Sequence, residues 1–549
     1  MTMFPVPAVD LRAEFYWASG ADGVLRMQCC ADCDGLVHPP SAACHRCQGS
    51  RLEVRPVSGV GTVVAVTVNH QAWRPGLPVP YAIAVVALAE DPRVRLTARV
   101  VRAEPETVHI GQQVAVSFER RAEVWVPVVT PTGAETDVPE VDETIEEVRA
   151  AVRTPATSRR YEHASVISGV GNSPLGRRLM IDPLTLAVQA CRAAVADAGL
   201  TLADIDGLAT YPGSGVGQGF QEGGVTAVEE ALRLRPVWYA GGPEAPGPGG
   251  SVVAAMLAVA AGLCRHVLCF RTVWEATYAE LVRTGRRRPP PGGPVDAPMA
   301  YTAPAGSYSA ANTLALGASH YMHRFGASRE TFGWIALNAR ANAALHPDAI
   351  YRTPLTMNDY LSARPVSTPF GLYDCDVPCD GAIAVVVSAV ETAPDLRQPP
   401  IRCEAAGTQI VERVSWDQST LAHEPQVLGP AAHLWTRTDL RPADVDLALL
   451  YDGFTFNCVS WLEALGFCGI GEAADFLDGG KRIARDGEIP VNTHGGQLSH
   501  GRTHGFGLLQ EAVVQLRHEA GRRQVADAEV AVVSSGGLTP SSALLLVRS

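Results

Sequence analysis

No stretch of the sequence stays apolar long enough to span a bilayer, and the opening MTMFPVPAVD has neither a basic n-region nor an apolar core. The expectation is a cytoplasmic protein with no membrane span. Positive charge is also in short supply. The 45 Lys and Arg face 57 Asp and Glu, for a formal net charge of −12 and a pI near 5.7. That balance lacks the basic face a nucleic-acid partner requires. A disulfide framework is equally absent, because the 13 cysteines are odd in number and four crowd together, which suits a reduced compartment and one metal site. What remains is ordinary globular composition, 47% hydrophobic and 19% charged. At 549 residues the chain exceeds one hydrophobic core, so two or three domains are expected.

The N-terminal part opens with LRAEFYWASG, which predicts a short amphipathic helix between Asp10 and Gly20. Cys30-x2-Cys33 and Cys44-x2-Cys47 follow. Two such knuckles each aim two thiolates at one centre, the ligand set of tetrahedral Zn(II). Four thiolates leave no open position, so the zinc is expected to be structural, and Cys29 is a bystander. From Val54 the pattern turns to short β-rich runs: GTVVAVTVNH, YAIAVVALA, VRLTARVV, QQVAVSFE and EVWVPVVT. Five such segments punctuated by Gly and Pro predict a small barrel of OB type. These units are placed at 1–55 and 56–130. Residues 131–158 are acidic, then mixed, and read as a linker with a helical turn or two between Glu143 and Val152.

The remainder alternates strands and helices, which argues for a sheet covered on both faces. A first half, 159–397, holds ASVISGVGNSPL, a helix Pro183 to Ala198, IDGLATYPG, and a buried helix Ser251 to Gly262 after a Gly/Pro loop. A second half, 398–549, repeats that grammar with IRCEAAGTQIV, a strand Val445 to Leu450, a helix Phe506 to Leu516, and AEVAVVSSGG. Between the two, RTGRRRPPPGG carries Arg283 and Arg286 to Arg288, either a solvated surface loop or a phosphate contact.

Chemistry concentrates where strands end. LLYDGFTFNC supplies the phenol of Tyr451 and the carboxylate of Asp452; VNTHGGQLSHGRTHGFG supplies Asn492, His494, Gly495, Gly496, His500, Arg502 and His504. Loops at strand ends, each followed by a helix, are where layered α/β proteins place their sites. Asp452 either orients the phenol's partners or caps the helix after it. Each histidine alone would suit a satisfied core position, whereas three within eleven residues of a Gly-rich loop suit a site.

The pair YDGFT and NTHGGQLS-x-GR-x-HGFG resembles the lipid-transfer-protein-type branch of the thiolase superfamily, and within it the steroid side-chain aldolases of actinobacterial sterol catabolism. The stretch LRMQCCADCDGLVHPPSAACHRC is similar to the zinc-ribbon and OB-fold accessory domains found beside such enzymes. A Tyr-rich helix, the DYLSAR run and DVPCDGA extend the likeness across 160–549. The resemblance implies an α/β thiolase-like fold of two pseudo-equivalent halves layered αβαβα, behind an N-terminal zinc ribbon and small β-barrel.

A thiolase places its nucleophilic cysteine at the start of the buried helix, where the helix N-terminus lowers the thiol pKa. That place falls near Pro246, and no cysteine lies between Cys191 and Cys264. The second thiolase cysteine is replaced by Ser534-Ser535-Gly536-Gly537, and the G-H-P histidine by Gly501-Arg502-Thr503. Acyl-enzyme chemistry is therefore not expected. The resemblance implies instead a retro-aldol cleavage of a branched 3-hydroxyacyl-CoA into a ketone or aldehyde plus propionyl-CoA or acetyl-CoA, with CoA entering only as part of the substrate. On this reading Tyr451 transfers the proton, as the tyrosine of the family's YD-x-F motif. Asp452 orients it, and His494, His504 and, more weakly, His500 supply an acid or an oxyanion donor. Gly495, Gly496, Gly536 and Gly537 offer backbone donors, and Asn492 and Arg502 contact the substrate. Some members of the family carry a second catalytic tyrosine near the position of Arg502, and no tyrosine follows Tyr451 in this chain. A homodimer and a partner enoyl-CoA hydratase are implied as well. A condensing acyltransferase and a non-catalytic acyl-CoA or lipid scaffold are the competing readings.

Overall fold

The computed structural model describes residues 4–74, 76–141, 145–215, 217, 219–289, 293–536 and 540–548. Helix α1 (Glu14–Ala18) buries Tyr16 and Trp17. A three-stranded ribbon follows, with β1 (Arg26–Cys30) paired antiparallel to both β2 (Leu36–Val37) and β3 (Leu52–Pro56). The five β-rich runs become β4 (Val60–Asn69), β5 (Tyr81–Leu88), β6 (Arg95–Val100), β7 (Gln112–Arg121) and β8 (Val124–Glu135). They pair in the order β4-β5-β6-β8-β7, and β7 returns to β4 to close the barrel.

Strand β5 is buried along its whole length. Its alternate residues explain why, since successive side chains of a strand face opposite ways. Ala82, Ala84 and Val86 fill the barrel with Val63, Ala98 and Val129, while Tyr81, Ile83, Val85 and Ala87 pack outward on Leu316 and Leu421. The barrel thus leans on the C-terminal part, and the connection carries helix α2 (Ile145–Ala151).

The first half runs β9 (Ser165–Asn172), α3 (Pro183–Asp197), β10 (Gly207–Thr210), α4 (Gly224–Leu232), β11 (Trp238–Gly241), α5 (Gly247–Ala260), β12 (His266–Trp274) and α6 (Glu275–Arg283). A helical excursion comes next: α7 (Ala310–Phe325), α8 (Arg329–Ala343), α9 (Met357–Leu361), and the short strands β13 (Pro365–Ser367) and β14 (Phe370–Gly371). Strand β15 (Asp380–Ala389) completes this half. The second half has β16 (Ile401–Gly407), α10 (Leu428–Trp435), β17 (Leu447–Leu449), α11 (Thr455–Ala464), α12 (Ala473–Leu477), α13 (Phe506–Leu516), β18 (Val530–Ser535) and β19 (Ser542–Arg548).

Strand order exposes the repeat that the sequence only suggests. The first half reads β11-β10-β12-β15-β9 and the second, mirrored, β17-β18-β19-β16, with β9 and β16 pairing at the centre. Parallel and antiparallel neighbours correspond one to one, and Val491 bridges to Ala448 in parallel where β11 would be repeated. Alternation along the strands builds the layers. Leu208, Leu268, Ala384 and Val386 face α3 on the outside, whereas Ala209, Cys269, Ile383 and Val385 face inward to the core that holds α5, α13 and the second half. Helices α5 and α13 therefore lie between the half-sheets, the middle layer of a thiolase-like fold.

One boundary differs from the sequence expectation. Helix α5 starts at Gly247, four residues before Ser251, with Pro246 at its N-cap. The Gly-Pro-Gly-Gly turn reads as a loop in sequence, but close packing demands it. A Cβ on Gly249 would lie 2.5 Å from Ser542 Oγ and 2.8 Å from Ser535 Oγ. Among the described residues no helix is long and apolar enough to cross a membrane.

Candidate active site

The ribbon brings its four cysteines together. Sγ atoms of Cys30 and Cys47 are 3.5 Å apart, those of Cys33 and Cys44 are 3.6 Å apart, and all four fall within 4.8 Å of one another. Zn–S bonds of about 2.3 Å in a tetrahedron need S–S separations of this size, so the residues fit such an ion. The two knuckles are alike: Asp34 N–H donates to Cys30 O and Gln48 N–H to Cys44 O, at 2.9 and 3.0 Å.

At the C-terminal end of β17 the two motif loops are stitched together. Asn492 accepts from Leu450 N–H at 2.8 Å and donates back to Leu450 O at 2.9 Å. Its amide extends the sheet edge and is not turned to a substrate. Tyr451 comes next, 6% exposed, with its N–H donating to Ser534 Oγ at 2.8 Å. The ring folds back over Gly453, where a Cβ would stand 2.9 Å from Cε1 and 3.2 Å from the phenol oxygen. Burial raises the phenol pKa far above its ordinary value, the anions of Asp376 and Glu424 raise it further, and Arg502 opposes them. Tyr451 is therefore a neutral O–H at working pH.

Asp452 does not cap α11, the helix after it, whose first turn is closed by Phe454 N–H on Asn457 Oδ1 at 2.7 Å. Its Oδ1 accepts from Gln497 N–H at 2.8 Å, which caps the π-helical turn Gly496–His500 in the other loop. Burial brings this carboxyl up to about 7, against backbone donors that favour the anion. The approach is allowed because residue 496 is glycine, with φ +58 and room for no Cβ beside Asp452. Gly495 N–H is spent on Asn492 O at 2.8 Å. The 495–496 pair thus serves packing, and Gly537 lies outside the described residues.

The three histidines part company. His494 and His500 sit with ring centroids 4.9 Å apart, beside His346, and line a cavity of about 140 Å³ with Glu511, Arg523 and Asp348. Burial holds both imidazoles neutral, far below their ordinary pKa. None of the residues around Tyr451 lines that cavity. His504 turns the other way, with φ +51, and its Nδ1 lies 2.8 Å from Arg271 Nη2. A guanidinium only donates, so Nδ1 accepts and the neutral ring carries its proton on Nε2. Burial and the charges of Arg271 and Arg502 keep that imidazole from taking a second proton. Phe220 lies against the ring, with centroids 5.9 Å apart.

Arg502, expected to meet substrate, is clamped instead by two carboxylates. Nη1 donates to Asp376 Oδ1 at 2.9 Å, and Nε and Nη2 both grip Glu275 at the start of α6. Asp376, Glu275 and Arg271 are the site residues that sequence reasoning missed. The segment DCDVPCDGA shows three aspartates with nothing to rank them. Asp374 accepts from Tyr360 and Thr455 in the core, Asp380 accepts from Thr277, and Asp376 pairs with Arg502 of the second loop.

Family models match the chain in three places: the rubredoxin-like zinc ribbon domain of ChsH2 at 17–53, the C-terminal OB-fold domain of ChsH2 at 54–119, and a thiolase C-terminal domain-like model at 422–549. A steroid side-chain-cleaving aldolase of Thermomonospora curvata is 34% identical over 391 residues, 70% of this chain and 97% of that one. The chain belongs to the steroid side-chain-cleaving aldolases. It is a carbon–carbon lyase. The 17-hydroxy-3-oxo-4-pregnene-20-carboxyl-CoA lyase of Mycobacterium tuberculosis is 33% identical over 70% of this chain and 98% of its own length. A solved chain of the Ltp2-ChsH2(DUF35) aldolase superposes with TM-score 0.62 at 32% identity, covering 70% of this chain and 98% of that chain. The monomeric SCP2-thiolase-like protein type 1 of Mycobacterium smegmatis shares the fold, with TM-score 0.50 and 17% identity over 71% of this chain and 78% of that one.

In this aldolase the starts of α5 and α13 meet at the end of β18. Ser535 Oγ accepts from Gly249 N–H at 3.1 Å near the start of α5, and a Cβ on Gly505 at the start of α13 would lie 3.0 Å from Ser535 Cβ. Pro246 precedes α5 as its N-cap, and Ser534 and Ser535 end β18. Cys264 is buried past the far end of α5, its pKa pushed up to about 11 by burial.

Proposed function

We propose that the aldolase performs a retro-aldol cleavage on a CoA thioester, breaking the Cα–Cβ bond of a branched 3-hydroxyacyl-CoA to release a ketone or aldehyde and propionyl-CoA or acetyl-CoA. What supports the reading is that neither the start of α5 nor the end of β18 carries a cysteine, while Tyr451 and His504 lie on the loops that follow β17 and precede α13. Carbon–carbon cleavage then has to proceed through the thioester enolate, which needs proton transfer at the β-hydroxyl and donors at the carbonyl oxygen. Tyr451 passes the proton. His504, held by Arg271 with its proton on Nε2, donates to the enolate oxygen. The relatives' names support a steroid-like acyl group. The test offers the enzyme a branched 3-hydroxyacyl-CoA and, separately, a 3-oxoacyl-CoA with free CoA. Cleavage of the first alone is expected; thiolysis of the second would favour an acyltransferase, and binding without cleavage a scaffold.

The four-cysteine ribbon holds one structural Zn(II), and the ribbon and barrel stand in one polypeptide with the lyase part. Cys44→Ser is expected to release the metal and lower the melting temperature of the N-terminal part, because Cys44 is a buried ligand. Metal analysis beside a thermal melt reads both. A hydratase that adds water to an enoyl-CoA would supply the substrate. The loop holding Arg286 and Arg288 is suited to CoA phosphates, and Arg287 already stacks on Trp274 at 5.1 Å.

Homodimerisation has its own support. Among the described residues strand β11 is a sheet edge paired only with β10, and Val237 just before it and Tyr239 within it are 71% and 66% exposed. An apolar free edge invites strand pairing across a two-fold axis. The double substitution Val237→Lys and Tyr239→Lys is expected to convert a dimer to a monomer in sedimentation analysis.

A further inference from the structure

A retro-aldol step begins with loss of the β-hydroxyl proton, and the described geometry denies that proton to the imidazoles. His504 is occupied at Nδ1 by Arg271 and protonated at Nε2, while His494 and His500 line the separate cavity. Tyr451, neutral and buried, can accept a proton only while giving one up. Some other group must receive what the phenol releases.

We propose that Asp376 is this group: a proton acceptor behind Tyr451, acting through the phenol. The proposal deepens the aldolase reading and rests on it. Asp376 occupies the seam between the two motif loops. Its neighbour Cys375 bridges to Phe454, its own N–H donates to Gly453 O at 3.0 Å, and Val377 N–H donates to Gln497 O at 3.0 Å. Arg502 N–H returns to Val377 O at 3.0 Å. The Tyr451 phenol lies over Gly453, the same residue whose carbonyl anchors Asp376. Among the charges acting on the phenol, Asp376 is the strongest.

Arg502 pairs with the carboxylate, Glu275 shares that guanidinium, and the charges of Asp376 and of Asp452 and Tyr451 in the YDGF loop act on one another. The other acids sit differently, and Asp452 keeps Oδ2 buried without a partner, so Asp452→Asn, expected to keep the rising limb, is measured alongside. Glu275 is gripped by Arg502 through two nitrogens, and Asp452 caps the turn at Gln497. Burial, with Glu275 and Asp452 adding and Arg502 opposing, sets Asp376 at about 7. A general base is most effective when its pKa lies near the operating pH.

The step balances. The β-hydroxyl proton passes to Tyr451 Oη as the phenol's own proton moves to Asp376. The Cα–Cβ bond breaks, the alkoxide becomes a carbonyl, and the bonding pair becomes the thioester enolate. Asp376 then returns its proton through Tyr451 to Cα, leaving the enzyme as it began, with no oxidant or reductant consumed. The Arg502–Asp376 pair thereby does the work of a second tyrosine.

The experiment compares wild type, Asp376→Asn, Glu424→Gln and Asp376→Ala on a branched 3-hydroxyacyl-CoA across pH 5.5 to 9. Cleavage by the wild type tests the aldolase reading; the ratio between variants tests Asp376. Because the competent form is the anion, wild-type kcat is expected to rise with pH through about 7 and then level. Asp376→Asn is expected to lose about a hundredfold or more in kcat and to lose that rising limb, with KM little changed. Formate is expected to restore part of the rate to Asp376→Ala, as a small carboxylate filling the gap. A merely structural Asp376 would give neither the altered profile nor the rescue. The proposal is overturned if Asp376→Asn keeps the limb, if its rate stays within threefold of wild type, or if Glu424→Gln alone abolishes the limb.

Discussion

Tyr451→Phe is expected to lower the cleavage rate about a thousandfold, within the range that a positioned acid–base group contributes. The substitution removes one oxygen and leaves the ring over Gly453 and the backbone N–H on Ser534 Oγ. Folding and thioester binding should therefore survive, with a melting temperature within about 1 °C of wild type, the scale of a 1 kcal/mol change in a protein of this size. The loss should appear in kcat and not in the dissociation constant of the thioester, since the lost interaction acts on the proton in flight. A variant that still cleaves within tenfold of wild type would remove the phenol from the mechanism.

Gly496→Ala is expected to be the most damaging single methyl in the site. Two independent costs coincide there. The backbone holds φ +58, where a Cβ is strained, and the new carbon would stand 1.8 Å from Asp452 Oδ2, a clash that forces the buried Asp452 side chain to move. Asp452 would have to leave Gln497 N–H, unpicking the bond that joins the two loops. A loss of about 3–5 kcal/mol is expected, in the range reached when strain and a broken buried network combine. Gly262→Ala serves as the comparison, because φ there is +72 and nothing lies within 4 Å of the added carbon. It should cost about 1 kcal/mol. Equal melting temperatures for the two variants would mean that the Asp452 contact is not as tight as described.

Much of the architecture is legible from local pattern. The zinc ribbon can be read because four thiols at fixed spacing have few other uses, and the five β-rich runs became five strands because alternation and turn residues agree. Helix α13 matches its expected bounds of Phe506 and Leu516 because a glycine precedes it and apolar residues recur at helical spacing. What stayed hidden depends on contacts distant in sequence. The glycine at 249 in the start of α5 is required because Ser542 and Ser535 pack where a Cβ would stand. The strand-for-strand repeat lies in pairing order, which composition does not carry.

The candidate site divides on the same line. Tyr451 and His504 are legible as candidates from residue type and loop position, but three histidines on one loop give no hint that two of them, His494 and His500, line another cavity. Asp376 was passed over among three aspartates in seven residues, since only the fold shows which one meets Arg502.

The most direct test of cleavage through a thioester enolate is the isotopic content of the released acyl-CoA. Wild-type enzyme is given a branched 3-hydroxyacyl-CoA in deuterated water, and the short acyl-CoA product is analysed by mass spectrometry. The account predicts one solvent deuterium at Cα of every product molecule and no acylated protein. Product without deuterium, or an acyl group bound to the chain, would contradict it.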